Sequence, residues 1–496
     1  MLLLGIDVGT SSVKVSVVDA STQKAVASAQ YPDEESPIIA LHPGWAEQSP
    51  EMWWEQVQQA IERCNSKGLY NSHDIAAIGI AYQMHGLVLV DKDQKALRNS
   101  IIWCDSRAVE IGDKAFDAIG HEKCLSHLLN SPGNFTASKL AWVKENEPAI
   151  YSQIDKMMLP GDFIAMKLTG ELNASASGLS EGIFFDFLSD GISGEVVNYF
   201  GFDRSFFPEI QPLFSSHGQL LPSIAQKLKL KPGCPVTYKA GDQPNNALSL
   251  NVLNPGEIAA TAGTSGVIYG VGKELTYDNE SRINTFAHVN YTSAQKRTGV
   301  LLCINGVGSM YRWLKQAFGG GESYLQMNSK GAEAPAGSDG LLVLPFGNGA
   351  ERMLNNKMVG AHFQNIDLNK HTQAYVIRAV QEGIAFAFRY GLDIMRENGI
   401  NPGVIRAGKN NLFLSELFTE TFVNITGVPV ELYKNDGSVG AAIGAGIGAG
   451  IFSSPQQAFE HMHPIQMVEP TGKKTGTVLR GMEECAGKTP GMKLIN

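Results

Sequence analysis

The sequence predicts an α/β protein built from two related halves, and three observations carry that expectation. Leu2 to Val8 reads as a strand, Gly9-Thr10-Ser11-Ser12 as a tight turn, and Val13 to Asp19 as a second, β-branched strand. The same grammar returns near mid-chain, where Glu257 to Ala262 leads into Gly263-Thr264-Ser265-Gly266 and on to Val267-Ile268-Tyr269-Gly270. Around both copies, strand-like runs alternate with helical periodicity, as a mixed α/β chain requires.

The elements follow in order. Ile75 to Ala81 and Leu87 to Val90 are strands flanking Gln83-Met84-His85-Gly86. Pro232-Gly233-Cys234-Pro235 is a turn before the strand Val236 to Asp242, and a helix is expected from Ala247 or Leu248. Gly299 to Ile304 is a strand that precedes a helix through Trp313. From Gln373 to Glu397, apolar residues at Ile377, Val380, Ile384, Phe388, Leu392 and Met395 follow a helical period, with Gly399 as the stop. Gly403 to Arg406, Leu412 to Thr426 and Val428 to Tyr433 then read as strand, helix and strand. Asn435 to Gly444 opens a helix of small residues, which suits close packing better than binding. Asn254-Pro255-Gly256 punctuates the chain, so the expected domains are 1–250 and 251–455, followed by a tail at 456–496.

Composition narrows the function classes. The chain has 496 residues, 43% hydrophobic and 18% charged, which suits a soluble globular protein with a sizeable core rather than a disordered one. Forty Lys and Arg against 49 Asp and Glu leave a net charge of −9 with no basic block, which argues against nucleic acid as a partner. The six cysteines are scattered without a Cys-x-x-Cys pair, so they read as free thiols of a reducing, cytoplasmic compartment. Met1-Leu2-Leu3-Leu4 reaches Asp7 without a basic segment, so no signal peptide is expected. Ala441 to Phe452 is well short of the ~20 residues of a membrane span, so no membrane association is expected either.

Several constellations have chemistry in them. Asp7-Val8-Gly9-Thr10-Ser11 with Lys14 joins a strand-end carboxylate to a Gly turn, hydroxyls and a cation. Such a set can cradle phosphate oxygens and hold hydrated Mg²⁺, although alone it is equally an ordinary hairpin. The second copy at Gly263-Thr264 favours a two-sided phosphate clamp. Asp242, in Gly241-Asp242-Gln243-Pro244, ends a strand where it is either a helix cap or a proton acceptor, and its place at the end of the first half suggests a cleft between the halves. Met84-His85 offers polar contacts for a polyol, although a lone turn histidine is more often structural. Asp105 and Arg107 read either as hydroxyl ligands or as an internal ion pair. Gly408-Lys409-Asn410, between a strand and a helix, is a weak nucleotide surface. Gly481 to Thr489 imitates a P-loop with one residue too many and Pro490 in place of a helix, and is rejected as such.

Together these motifs, with Pro43-Gly44-Trp45-Ala46-Glu47-Gln48, Trp103-Cys104-Asp105-Ser106-Arg107 and Gly349-Ala350-Glu351-Arg352, resemble the FGGY family of carbohydrate kinases across roughly residues 2 to 450. The resemblance implies two actin-like, ribonuclease-H-like domains with an interdomain active-site cleft, and ATP-dependent phosphorylation of a sugar. It makes Asp242 the catalytic base, Met84 and His85 the sugar-binding pair with Gln243 beside them, and Asp7 the carboxylate for Mg²⁺. Thr10, Ser11, Lys14, Gly263 and Thr264 match phosphate-loop positions, and Gly308 and Arg312 match nucleotide contacts. Three departures stand out: Ala407-Gly408-Lys409-Asn410 replaces the family's Gly-Gly-Gly-Ala run, Gln243 stands where Asn is common, and the tail from about Pro464 does not resemble the family's aromatic-bearing terminal helix. The implied partners are a small sugar and ATP, with a homodimer as the oligomeric state considered. D-xylulose is the sugar expected first, before another ketose, a polyol or gluconate; an actin-like ATP switch or assembly protein is the reading from a different class.

Overall fold

The computed structural model describes residues 1–472, so Gly481 to Thr489, Cys485 and most of the expected tail lie outside the described residues. The chain forms two compact units interleaved along the sequence. Unit one comprises Met1–Leu253, Phe286–Thr298 and Asp436–Met462; unit two comprises Asn254–Thr285, Gly299–Asn435 and the described residues from His463 onward. Asp436–Met462, which a linear division assigns to the second half and the tail, thus belongs to unit one.

Unit one is organised by a five-stranded sheet in the order Val236–Gly241, Ile75–Tyr82, Leu2–Val8, Val13–Asp19, Lys24–Tyr31. The last three form antiparallel pairs, whereas Ile75–Tyr82 lies parallel to both Leu2–Val8 and Val236–Gly241. Strand alternation sends Leu4, Ile6 and Val8 to one face, against Trp53, Val57 and Ile61 of the helix Pro50–Asn65. Leu3 goes to the other face with Ala77, Tyr238, Ala441, Ala442 and Ala445. There the small-residue helix Gly437–Gly448 lies so close that a Cβ at Gly5 or Gly79 would overlap its carbonyl oxygens. Packing is therefore what those small residues do, as their composition suggests.

Unit two carries adjacent strands in the order Thr298–Ile304, Gly266–Gly272, Ile258–Ala262, Ile405–Gly408, Val430–Tyr433, Gln466–Val468. The helix Gln373–Glu397 forms over the expected span, and its apolar stripe enters a core with Ile268, Leu302 and Phe422. Several boundaries shift by a residue or two, among them the strands Ile405–Gly408 and Val430–Tyr433, and two differ for a local reason. The helix after Val236–Gly241 begins at Asp242 itself, because Pro244 falls in its first turn, where a missing N–H is harmless. The run from Leu412 divides into a short 3₁₀ turn, Asn411–Leu414, and the helix Glu416–Thr426, whose cap Ser415 accepts the Phe418 N–H at 3.2 Å.

Candidate functional site

The parallel strands Leu2–Val8, Ile75–Tyr82 and Val236–Gly241 end in register, Val8 opposite Tyr82 and Tyr82 opposite Gly241. Their carboxyl ends therefore deliver Asp7, Gln83-Met84-His85 and Asp242 to one edge of unit one, the edge where open α/β sheets bind ligands. Gly241 permits the approach: a Cβ there would lie 2.6 Å from Met84 Cγ. Met84–His85 and Asp242 are thus neighbours. Asp7 sits opposite Lys14 in the hairpin register and faces the N-terminus of Gly437–Gly448, where a Cβ on Gly437 would overlap its Oδ2.

Burial dominates the electrostatics. Asp242 is pushed up to about 7, first by burial and then by the negative charge of Asp7, against hydrogen bonds from the backbone and side chain of Gln243. Asp7 is raised to about 6, by burial first and Asp436 second, with Lys14 opposing. Gln243 Oε1 and Asn245 Oδ1 are both buried without a hydrogen-bond partner in the protein.

The turn Gly9–Ser12 closes with the Gly9 N–H donating to Ser12 O at 3.0 Å. Its Thr10 hydroxyl sits in a polar chain: it accepts from Trp103 Nε1 at 3.0 Å and donates to Gln83 Oε1 at 3.1 Å. Gln83 Nε2 in turn donates to Gln48 Oε1 at 3.0 Å. Ser11 and Lys14 are exposed. The choice left open for Asp105 and Arg107 resolves as the ion pair: Arg107 meets Asp105 and Glu47 at 2.7 Å each, with its side chain 1% exposed. Its guanidinium lies 3.8 Å from the Trp45 ring centroid and 4.8 Å from that of Trp142, so this cluster supports the fold.

In unit two the Gly263–Thr264 turn is held by the start of the helix Gly308–Phe318. The Gly308 N–H donates to Gly263 O at 2.9 Å and the Ser309 N–H to Thr264 O at 3.0 Å, so these helix-start amides are already engaged. A Cβ at Gly308 would overlap the Gly263 carbonyl oxygen. Arg312, one turn on, lines a cavity of about 470 Å³ with Ser309, Trp313, Gly347 and Asn348. Gly408, Lys409 and Asn410 do not line that cavity. They reach the Gly263 turn through Asn411, whose Nδ2 donates to Asn410 Oδ1 at 3.1 Å and lies 3.5 Å from where a Gly263 Cβ would be. Lys409 Nζ is engaged with Gln466 Oε1 at 3.0 Å.

Two buried ionisable residues at these sites, Glu181 and Lys139, escape the sequence reading, and so does the structural task of Glu351 within the Gly349–Arg352 motif. Glu351 accepts the Asn305 and Gly306 N–H groups at 3.0 and 3.2 Å and is raised to about 7 by burial, which anchors the loop leading into Gly308. Glu181 and Lys139 both contact His85. The available signal was a single charge within otherwise small or apolar runs, Leu179 to Phe185 and Thr136 to Val143. Among the described residues no group of three or more His, Cys, Asp or Glu side chains is arranged to hold a metal by itself, and no helix is long and apolar enough to cross a membrane.

Comparison with known proteins decides the family. Residues 2–249 match the N-terminal domain, and residues 258–449 the C-terminal domain, of the FGGY family of carbohydrate kinases. The chain belongs to that family. As an FGGY kinase it is an ATP-dependent sugar kinase with the family's two-domain actin-like α/β fold. It is 28% identical over 466 residues to a xylulose kinase of Escherichia coli K12, covering 93% of this chain and 92% of that one. It is 30% identical over 407 residues to a xylulose kinase of Bacillus subtilis, covering 80% and 78%. The crystal structure of xylulose kinase from Rhodospirillum rubrum matches this FGGY kinase with a TM-score of 0.87 at 24% identity, over 98% of both chains.

Proposed function

We infer that the chain transfers the γ-phosphoryl group of ATP to D-xylulose, forming D-xylulose 5-phosphate. The carrying observation is the packing of the Met84–His85 turn against Gly241–Asp242, which sets a sugar-reading surface beside a half-buried carboxylate; the xylulose kinases among its relatives support the choice of sugar.

Asp242 acts as general base. A group held near 7 is ionised often enough at neutral pH to accept a proton and basic enough to take one from a polarised hydroxyl. The sugar hydroxyl oxygen forms the new bond to phosphorus, the bond from phosphorus to the ADP oxygen breaks, and the hydroxyl proton passes to Asp242. Gln243 orients that carboxylate through its two hydrogen bonds, and its buried Oε1 is available to a sugar hydroxyl.

Asp7 is the residue to hold Mg²⁺. The fit is chemical: the negative charge of Asp436 raises Asp7 and that of Asp7 raises Asp242, a repulsion that a divalent cation relieves, and Mg²⁺ needs only one or two carboxylates beside water and phosphate. When bound, the ion neutralises phosphate charge. In unit two, Gly263, Thr264, Gly308, Arg312 and Gly408 to Asn410 form the nucleotide surface, supported by the close backbone approach at Gly308. In unit one, Thr10, Ser11 and Lys14 serve the phosphates from the first hairpin. The compartment we propose is the cytoplasm and the oligomeric state a homodimer, which a measurement of mass in solution would test.

The test is ADP release with Mg-ATP across D-xylulose, L-ribulose, L-fuculose, glycerol and gluconate, beside a sugar-free control. Strong stimulation by D-xylulose is expected. Preference for another sugar replaces the substrate, and turnover indifferent to sugar overturns the reading in favour of an ATP switch.

A further inference from the structure

His85 is held on three sides by two buried ionisable residues to which the reaction assigns no task. It adopts φ 61°, in the left-handed region that side chains avoid, so its backbone needs outside support. Lys139, fully buried on the helix Thr136–Asn146, donates from Nζ to the His85 carbonyl at 2.8 Å and to the Ile102 carbonyl at 3.0 Å. Glu181, 1% exposed at the end of the helix Ala176–Glu181, accepts the His85 N–H on Oε1 at 3.4 Å. Its main-chain carbonyl takes the third bond, from His85 Nδ1 at 3.0 Å.

That third bond sets the chemistry of the ring. A carbonyl oxygen only accepts, so Nδ1 carries the hydrogen, and in the neutral imidazole Nε2 is then an acceptor. Phe135 and Phe286, at centroid distances of 4.9 and 5.5 Å, restrict the ring's rotation. Glu181 also reaches the base strand: its buried Oε2 lies 2.6 Å from where a Cβ on Gly241 would sit. Burying a lysine and a glutamate is unfavourable unless their bonds do something that apolar residues would not.

We propose that Lys139 and Glu181 are positioning residues that clamp the His85 backbone and tautomer, so that the ring accepts a hydrogen bond from a donor hydroxyl of the sugar while staying in register with Asp242. The inference rests on the reading of Met84–His85 as the sugar site. It predicts a split between the two substrates, because the clamp touches the sugar-reading turn and none of the nucleotide positions.

The experiment measures KM for D-xylulose and for ATP separately in Lys139→Met, Glu181→Ala and Glu181→Gln. Lys139→Met and Glu181→Ala are expected to raise the sugar KM by about tenfold or more while the ATP KM moves by less than about twofold. Glu181→Gln, which keeps an acceptor for the His85 N–H, is expected to restore most of the loss. Equal shifts in both KM values, an unmoved sugar KM, or a Gln variant no better than Ala would overturn the clamp. The wild-type protein gives an independent readout should a variant fail to fold: the imidazole ¹⁵N shifts of His85 report an Nδ1–H tautomer, and an Nε2–H tautomer overturns the proposal. His85→Ala separates the two levels. If it leaves sugar affinity unchanged, the sugar-site reading has failed; if it weakens sugar binding while the clamp variants do not, only the clamp has.

Discussion

The two hairpins share a motif, Asp7-Val8-Gly9-Thr10-Ser11 in unit one and Thr261-Ala262-Gly263-Thr264-Ser265 in unit two, yet they are equipped differently. The first carries a half-buried carboxylate opposite a lysine, and side-chain bonds from Trp103 and to Gln83 fix its turn hydroxyl. The second has Thr261 where the first has Asp7, and main-chain bonds to Gly308 and Ser309 hold its turn. One hairpin supplies charge and the other supplies closely packed backbone.

Breaking the charged side is expected to have the largest effect. Asp242→Ala should lower kcat by about 10²–10⁴-fold with little change in ATP affinity, as loss of a general base does. Asp7→Asn should cost about 10²–10³-fold, whereas Thr261→Val, its counterpart, should stay within about threefold; a comparable loss at both would show that the hairpins are equivalent after all. On the backbone side, Gly308→Ala forces a methyl onto the Gly263 carbonyl, and overpacking of about 1–3 kcal/mol there should appear as a rise of roughly tenfold in the ATP KM.

Acid and base sharpen the comparison further. The kcat/KM for sugar should rise with pH and level off above about 7, following ionisation of Asp242. Stability runs the other way. Asp242 keeps its proton up to about 7 when folded but only to about 3.8 when unfolded, so its contribution is full below 3.8 and lost as pH rises through 7. Asp242→Asn should therefore melt higher than wild type at pH 8, with the gap narrowing as pH falls below 7 and closing only below about 3.8, as calorimetry would show. The smallest effect is expected at Lys409, whose Nζ is engaged with Gln466: Lys409→Ala should move the ATP KM by about threefold at most, within the range of a surface contact.

Much of this was legible in the sequence because it is local. Strand alternation announces Leu2–Val8 and Val13–Asp19, turn chemistry announces the break at Asp242, and the stripe from Ile377 to Met395 announces the longest helix. What was not legible depends on partners far along the chain. Nothing near Lys139 names His85 as its acceptor, and nothing near Glu351 names the amides of Asn305 and Gly306. Asp105 and Arg107 are adjacent enough to suggest a pair, but only Trp45, Glu47 and Trp142 around them exclude exposure to a sugar. The helix start at Asp242 was misplaced because Pro244 reads as a breaker until its position in the first turn is known.

The helix Gly437–Gly448 that covers one face of the first sheet has a consequence for synthesis. Its residues leave the ribosome about 180 positions after Leu253 closes the first block of unit one, a delay of roughly 10 to 40 s at ordinary elongation rates. Throughout that interval Leu3, Ala77 and Tyr238 lack the chain segment that buries them. The nascent first half thus leaves that apolar face uncovered for the interval, and a truncated chain ending near residue 253 should aggregate where the whole chain folds.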